Sequence, residues 1–277
     1  EVIGGFLFNS LALLSDSAHV FMDVSSLGLS WLALYICAMP ATETRTYGWH
    51  RSEVFAAFIN GVTLLFVSLV IFYEAYQRLI SPPEVKGLGT MVVASVGLAV
   101  NIIVASWLKG HKHEDLNIRS AYLHVVWDAV ASVGVILSGI IIYWTGWFVA
   151  DPLISIGIGI IIIPGAVKII KESAHILLEG VPREVNIKSI VEDIKAIDGV
   201  QGIHTLHIWS ICSNIHAMSA HIDIEEKASN RRGEILELIN RKLAKDHHIF
   251  YTTLQAECNG CMTSQLFRTI EHKEHGH

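Results

Sequence analysis

Long apolar runs separated by short polar stretches fill the first 180 residues, and a mixed pattern follows. A helix that crosses a bilayer takes about 20 consecutive, mostly apolar residues. Five segments meet that length: Leu11–Cys37 and residues 54–79, 88–108, 116–144 and 152–178. Pro164 lies inside the last, where neighbouring helices tolerate a kink. The opening "EVIGGFLFNS" is apolar but too short to cross, and reads as the tail of another span. The connectors "AMPATETRTYGWHRSE", "ISPPEVKG" and "KGHKHEDLNIRS" are polar, while "TGWFVADP" has no Lys or Arg and carries interfacial aromatics.

Lys and Arg set the orientation. Arg45, Arg51, Lys109, Lys112 and Arg119 fall in loops on one side, and only Arg78 and Lys86 on the other. The basic side faces the cytoplasm, and the polar residues after Gly180 then lie there too. Those residues read as α-β-β-α-β. "NIKSIVEDIKAIDGV" has Ile187, Ile190, Val191 and Ile194 on one helical face. "GIHTLHIWSI" and "HAMSAHIDI" are strands joined by a short turn. "RRGEILELINRKLAKDH" is an amphipathic helix and "IFYTTLQAE" a third strand. The expected architecture is an α-helical transmembrane bundle over residues 1–180 with a small ferredoxin-like α+β domain over 181–277, which ends in a His-rich tail.

Composition agrees. Of 277 residues, 52% are hydrophobic and only 17% charged, against about 25% charged in soluble domains; the mean hydropathy is +0.46. A net charge of -6 gives no footprint for nucleic acid, and four cysteines make no disulfide framework. As written, the sequence opens on Glu1 with no basic stretch before the apolar run, so no signal peptide is expected in it.

The candidate chemistry is a motif that occurs twice. "SDSAHVFMD" carries His19 and Asp23 in the first full span, and "SAYLHVVWD" carries His124 and Asp128 in the fourth. Residues i and i+4 share a helix face. Two such helices facing each other offer two nitrogens and two oxygens, a tetrahedral set suited to Zn²⁺. The plain alternative is that each histidine merely bonds a neighbouring helix, but two identical pairs in two apolar spans argue against it. A carboxylate at mid-membrane costs roughly 2.5–3.5 kcal/mol even on a mild scale. A dication neutralises both carboxylates at once; otherwise protons must, so metal and proton compete for one site.

With these motifs, and with "NSLALLSDSAH", "YGWHRSEVFAAFINGV", "ADPLISIGIGI" and "LHIWSI…SAHIDI" in order, the chain resembles the cation diffusion facilitators, most closely their zinc-transporter branch. The resemblance covers nearly the whole sequence. It implies six spans, the first of them truncated here. It also implies a multi-pass homodimer in a lipid bilayer, with alternating access and Zn²⁺ leaving the cytoplasm in exchange for H⁺. His19, Asp23, His124 and Asp128 match the family's transport-site positions. A histidine at the first position suggests zinc preference, with Cd²⁺ as the competitor. Ligand chemistry ranks the metals the same way, since imidazole favours Zn²⁺ over Mn²⁺ or Mg²⁺.

The cytoplasmic part carries a second set. His207 and His221 lie on two strands, and Glu257, Cys258 and Cys261 follow the third in "ECNGC". A cytosolic C-x-x-C is a metal or redox pair by default; the alternative is two free thiols. The family often binds zinc with positions matching His207, His221 and Glu257. His204 and His216 are substitutes that spacing does not rank. Such a site would tie the dimer together or sense cytoplasmic zinc. His50 sits at the cytoplasmic mouth, where some relatives have a relay site. Arg51 and Glu179 are a candidate charge lock between dimer halves. Asp16, one turn before His19, is either a proton or supporting partner or a solvated, capping carboxylate. His111 and His113, with the terminal His272, His275 and His277, could loosely collect metal; for the terminal group a solvated tail is the better reading.

Function readings from other classes fit less well. A zinc hydrolase needs an open coordination position and a general base; here four ligands close the site, and H-E-x-x-H does not occur. A sensor with a passive membrane anchor does not need duplicated membrane ligands. A channel must hold its ion weakly, unlike a four-ligand site. The chain is therefore expected not to be an enzyme.

Overall fold

In a computed structural model, which describes residues 1–109, 116–257 and 265–267, the apolar runs are helices. They are α1 (Val2–Phe8), α2 (Leu11–Cys37), α3 (Arg51–Ile80), α4 (Gly87–Lys109), α5 (Leu116–Thr145) and α6 (Ala150–Leu177). The last five are long and apolar enough to cross a membrane. Their boundaries lie within three residues of those the apolar pattern predicts. Two compact units result: Glu1–Leu32 with Ala56–Lys171, and Ala33–Phe55 with Glu172–His277. Residues 33–55, the end of α2 and the start of α3, therefore pack with the C-terminal residues.

In the first unit, α1 ends where Asn9 turns into the left-handed region (φ 54), and α2 starts afresh two residues on. A helix start leaves orphan N–H groups and favours negative charge. Asp151, at the start of α6 and fully buried, supplies both needs. Its carboxylate accepts from the Leu11 and Ala12 N–H groups and, at 2.6 Å, from the Ser10 hydroxyl. Arg78, from the last turn of α3, donates to the Asn9 carbonyl at 2.7 Å and approaches Asp151 at 3.9 Å. Leu13, Leu64, Ala94, Val135, Ile158 and Ile162 form the apolar core between the helices. α4 and α5 pack closely through Gly87 and Gly139, where a Cβ on Gly87 would lie 2.6 Å from the Gly139 carbonyl oxygen. Small residues at such crossings let backbones approach.

In the second unit, α7 (Ile187–Lys195) begins at Asn186, whose side chain accepts from the Lys188 and Ser189 N–H groups. β1 (Val200–Cys212) and β2 (Ile215–Ile224) form an antiparallel hairpin, and α8 (Arg232–His247) crosses over to β3 (Ile249–Glu257), parallel to β2. This is the expected α-β-β-α-β order, with strands ordered β1-β2-β3. Ile190 and Ile194 of α7 and Ile235, Ile239 and Leu243 of α8 cover one sheet face, against Leu206, Ile208, Met218 and Ile222. The opposite face carries the polar positions. β1 bulges at Thr205, a β-branched residue at φ 50. The bulge is held by main-chain bonds from Thr205 and Leu206 to the carbonyls of Gln265 and Leu266.

Candidate metal centres

Helical periodicity on α2 and α5 assembles the first cluster, inside the first unit. His19, Asp23, His124 and Asp128 each offer a ligand atom, and these atoms all lie within 4.8 Å of one another. His19 Nε2 is 3.6 Å from an oxygen of Asp23 and 3.6 Å from one of Asp128. His124 Nε2 is 3.1 Å from Asp23 and 3.7 Å from Asp128. Each imidazole thus faces both carboxylates, and each helix gives one of each. Tetrahedral bonds of 2.0–2.1 Å put neighbouring ligand atoms about 3.3 Å apart, within the spread of these separations. The two rings meet edge to face, 5.7 Å between centroids.

Exposure is graded across the cluster. The side chains of Asp128 and His19 are 12% and 20% exposed, those of Asp23 and His124 31% and 49%. Asp23 and His124 are the members nearer the cytoplasmic ends of α2 and α5. Asp16 is buried in the second turn of α2 and neither solvated nor capping: its Oδ2 accepts the Ser132 hydroxyl at 3.1 Å.

The second cluster lies on the polar sheet face of the second unit and comprises His204, His221 and Glu257. His204 stands directly opposite His221 across β1 and β2, with ring centroids 5.1 Å apart. His221 Nδ1 meets Glu257 at 2.6 Å. The buried His204 ring points Nε2 between Glu257 (3.3 Å) and Asp223 (3.4 Å), while its Nδ1 pairs with the Thr205 hydroxyl at 3.1 Å. His207, the β1 histidine the family pattern points to, is not a member. The bulge uses an extra residue between His204 and His207, so His207 lies one step along the sheet, opposite Ser219. There it lines a cavity of about 1160 Å³ with His50, Arg51 and Glu179. His216 is turned elsewhere, to Ser210 and Glu184. Asp223 was not anticipated, although its place two residues after His221 puts it on the same strand face. Cys258, Cys261 and the loop and tail histidines lie outside the described residues.

Arg51 and Glu179 pair at 3.0 Å within one chain. Both are well exposed, so the pair contributes about 0–1 kcal/mol. His50 lines the same cavity and belongs to neither cluster of ligands.

Comparison with known proteins decides the family. The cation efflux transmembrane domain matches residues 1–178, and the cytoplasmic domain of cation efflux proteins matches residues 182–258. The chain belongs to the cation diffusion facilitator family. A cadmium, cobalt and zinc/H(+)-K(+) antiporter of Bacillus velezensis is 42% identical over 261 residues, which span 93% of this chain and 83% of the relative. The metal cation efflux system protein CzcD of Cupriavidus metallidurans is 39% identical over 94% of this chain and 82% of its own length. The zinc transporter ZitB of Escherichia coli is 35% identical over 94% and 83%. As a cation diffusion facilitator, the protein is a multi-pass integral membrane transporter of metal cations, with its C-terminal domain in the cytoplasm, and not an enzyme.

Proposed function

We propose that the protein exports Zn²⁺ from the cytoplasm in exchange for protons by alternating access, with the ion held by His19, Asp23, His124 and Asp128. The observation that carries this reading is the convergence of two imidazoles and two carboxylates from two apolar helices at tetrahedral spacing. Two carboxylates balance a dication, and the same four groups take up protons when it leaves. The rise in exposure toward Asp23 and His124 supports intake from the cytoplasmic side. Relatives named for zinc, cadmium and cobalt support a substrate of that class, and the nitrogen–oxygen donor set favours zinc within it.

In the cytoplasmic domain, residues 181–277, His204, His221 and Glu257 hold a resident zinc ion, with Asp223 beside them and Cys258 and Cys261 following in sequence. The fit rests on donor chemistry: two imidazoles and a carboxylate converge, and the buried Nε2 of His204 faces two carboxylates. Zinc held there would cross-link β1, β2 and β3, and the domain pairs two copies into a homodimer, a reading supported by its match to the cytoplasmic domain that the cation efflux family model names for dimerisation.

Reconstituted in vesicles with an imposed pH gradient, the wild type should drive zinc opposite to the downhill flow of protons, and Asp23→Ala should not. Zinc flux that ignores the gradient, with normal transport by Asp23→Ala, would falsify the proposal.

A further inference from the structure

Two buried polar atoms of α2, Asp16 Oδ1 and His19 Nδ1, have no hydrogen-bond partner among the described residues. Their residues are three apart, one turn along the same helix face. Both side chains are also held from their other ends. Asp16, 1% exposed, accepts the Ser132 hydroxyl at Oδ2. His19 gives Nε2 to the carboxylates of Asp23 and Asp128. Ser132 in turn follows Asp128 by one turn on α5. The Asp16–Ser132 pair therefore forms a polar layer next to the four ligands, on the side away from Asp23 and His124.

A histidine that binds metal through one nitrogen almost always donates its other N–H to a carboxylate or carbonyl, which fixes the tautomer and raises the basicity of the ligating nitrogen. His124 is half exposed, and neither of its ring nitrogens is buried without a partner. His19 is more enclosed, and the acceptor nearest in sequence on its own face is the idle oxygen of Asp16.

We infer that Asp16 is the positioning residue for His19. Once Nε2 takes the metal, Nδ1–H donates to Asp16 Oδ1, directly or through one water, while Ser132 holds the carboxylate in place. This rests on the four-ligand reading of the transport site. Asp16 touches no metal itself and acts through the imidazole, so its loss weakens the grip on the ion without removing a ligand.

The test measures zinc binding and transport by the full-length protein, in a background where His204→Ala and His221→Ala remove the cytoplasmic cluster. Asp16→Ala should lower zinc affinity about 10–100-fold and raise the transport KM, with a smaller effect on kcat. Asp16→Asn keeps an acceptor oxygen and should recover most of the loss; Ser132→Ala should cost a few-fold. In a His19→Asp background there is no imidazole to hold, and Asp16→Ala should cost nothing further. An equal loss in both backgrounds makes Asp16 a merely structural residue and overturns the inference. So does unchanged affinity in Asp16→Ala. If Asp23→Ala also binds zinc like the parent, the four-ligand reading itself has failed; if Asp23→Ala loses zinc while Asp16→Ala keeps it, the positioning role alone has.

Discussion

The membrane and cytoplasmic clusters use similar donors on different scaffolds. The membrane set comes from two helices, each presenting a His–Asp pair one turn apart, so half of it is built into each local stretch of sequence. The cytoplasmic set comes from three strands. It exists only through the antiparallel register that puts His204 opposite His221 and the parallel register that brings Glu257 to the end of β2. A site built by helical periodicity is fixed locally and needs one tertiary contact. A site built by strand pairing is fixed by register, and a one-residue shift changes its membership.

Removing a ligand from each cluster separates them most sharply. Asp23→Ala or Asp128→Ala should reduce zinc flux by more than the 10–100-fold typical of losing a supporting partner, while zinc binding by the cytoplasmic domain persists. Flux assays paired with equilibrium zinc binding check this, and comparable flux in mutant and wild type would dissolve the distinction. Next, His204→Ala should weaken cytoplasmic zinc binding by about tenfold or more, equivalent to 1.4 kcal/mol or above. His207→Ala should leave it within about twofold by the same measure. Both variants should keep part of the flux, whereas a sensor that does not transport would show none to keep. The reverse order for the two histidines would mean that the bulge does not set the register in solution.

Those two histidines mark where sequence reading stopped. The bounds of α2 and β3 follow from runs of apolar and alternating residues, and the His–Asp pairs of the membrane cluster from a spacing visible within nine letters. Choosing between His204 and His207 depends on Thr205, whose left-handed backbone inserts the extra residue. Nothing in "IHTLHIW" announces a β-branched residue with positive φ, because such residues avoid that region. Asp151 escaped for a related reason. Its partners Ser10, Leu11 and Ala12 lie about 140 residues away, so no local pattern connects a carboxylate at one helix start with the orphan N–H groups of another. Asp16 was visible one turn before His19, but its burial was not, because that depends on how α5 lies against α2.

The bulge yields a smaller effect with opposite signs for stability and binding. Thr205→Gly removes the side chain from a left-handed position and should stabilise the domain by about 1 kcal/mol, read as a raised unfolding temperature. It also removes the hydroxyl that pairs with His204 Nδ1, so cytoplasmic zinc affinity should fall a few-fold. If both rise together, the Thr205 hydroxyl does not orient the ring.

The smallest effect expected lies away from either cluster. His247 and Lys242 hold the half-buried Asp193 carboxyl below its usual range, with the His247 hydrogen bond as the larger cause. A depressed carboxylate contributes stability above its unfolded pKa of about 3.9, and that contribution is lost as pH falls through the lower folded value. Asp193→Asn should therefore slightly speed hydrogen exchange at the end of α8 at neutral pH. The difference from wild type should vanish once the medium is acid enough to protonate Asp193 itself. A difference that persists in strong acid would rule out this ion pair as its source.

The Asp151 bond to the start of α2 also has a mechanical consequence. It fastens one tip of the rod that carries half of the membrane cluster, so that rod moves by pivoting more easily than by sliding. At 1.5 Å per residue, His19 and Asp23 sit about 12 and 18 Å along the arm from Leu11. A swing of only about 5° around that fulcrum would displace them by about 1.0 and 1.6 Å, enough to open the tetrahedral grip proposed for zinc.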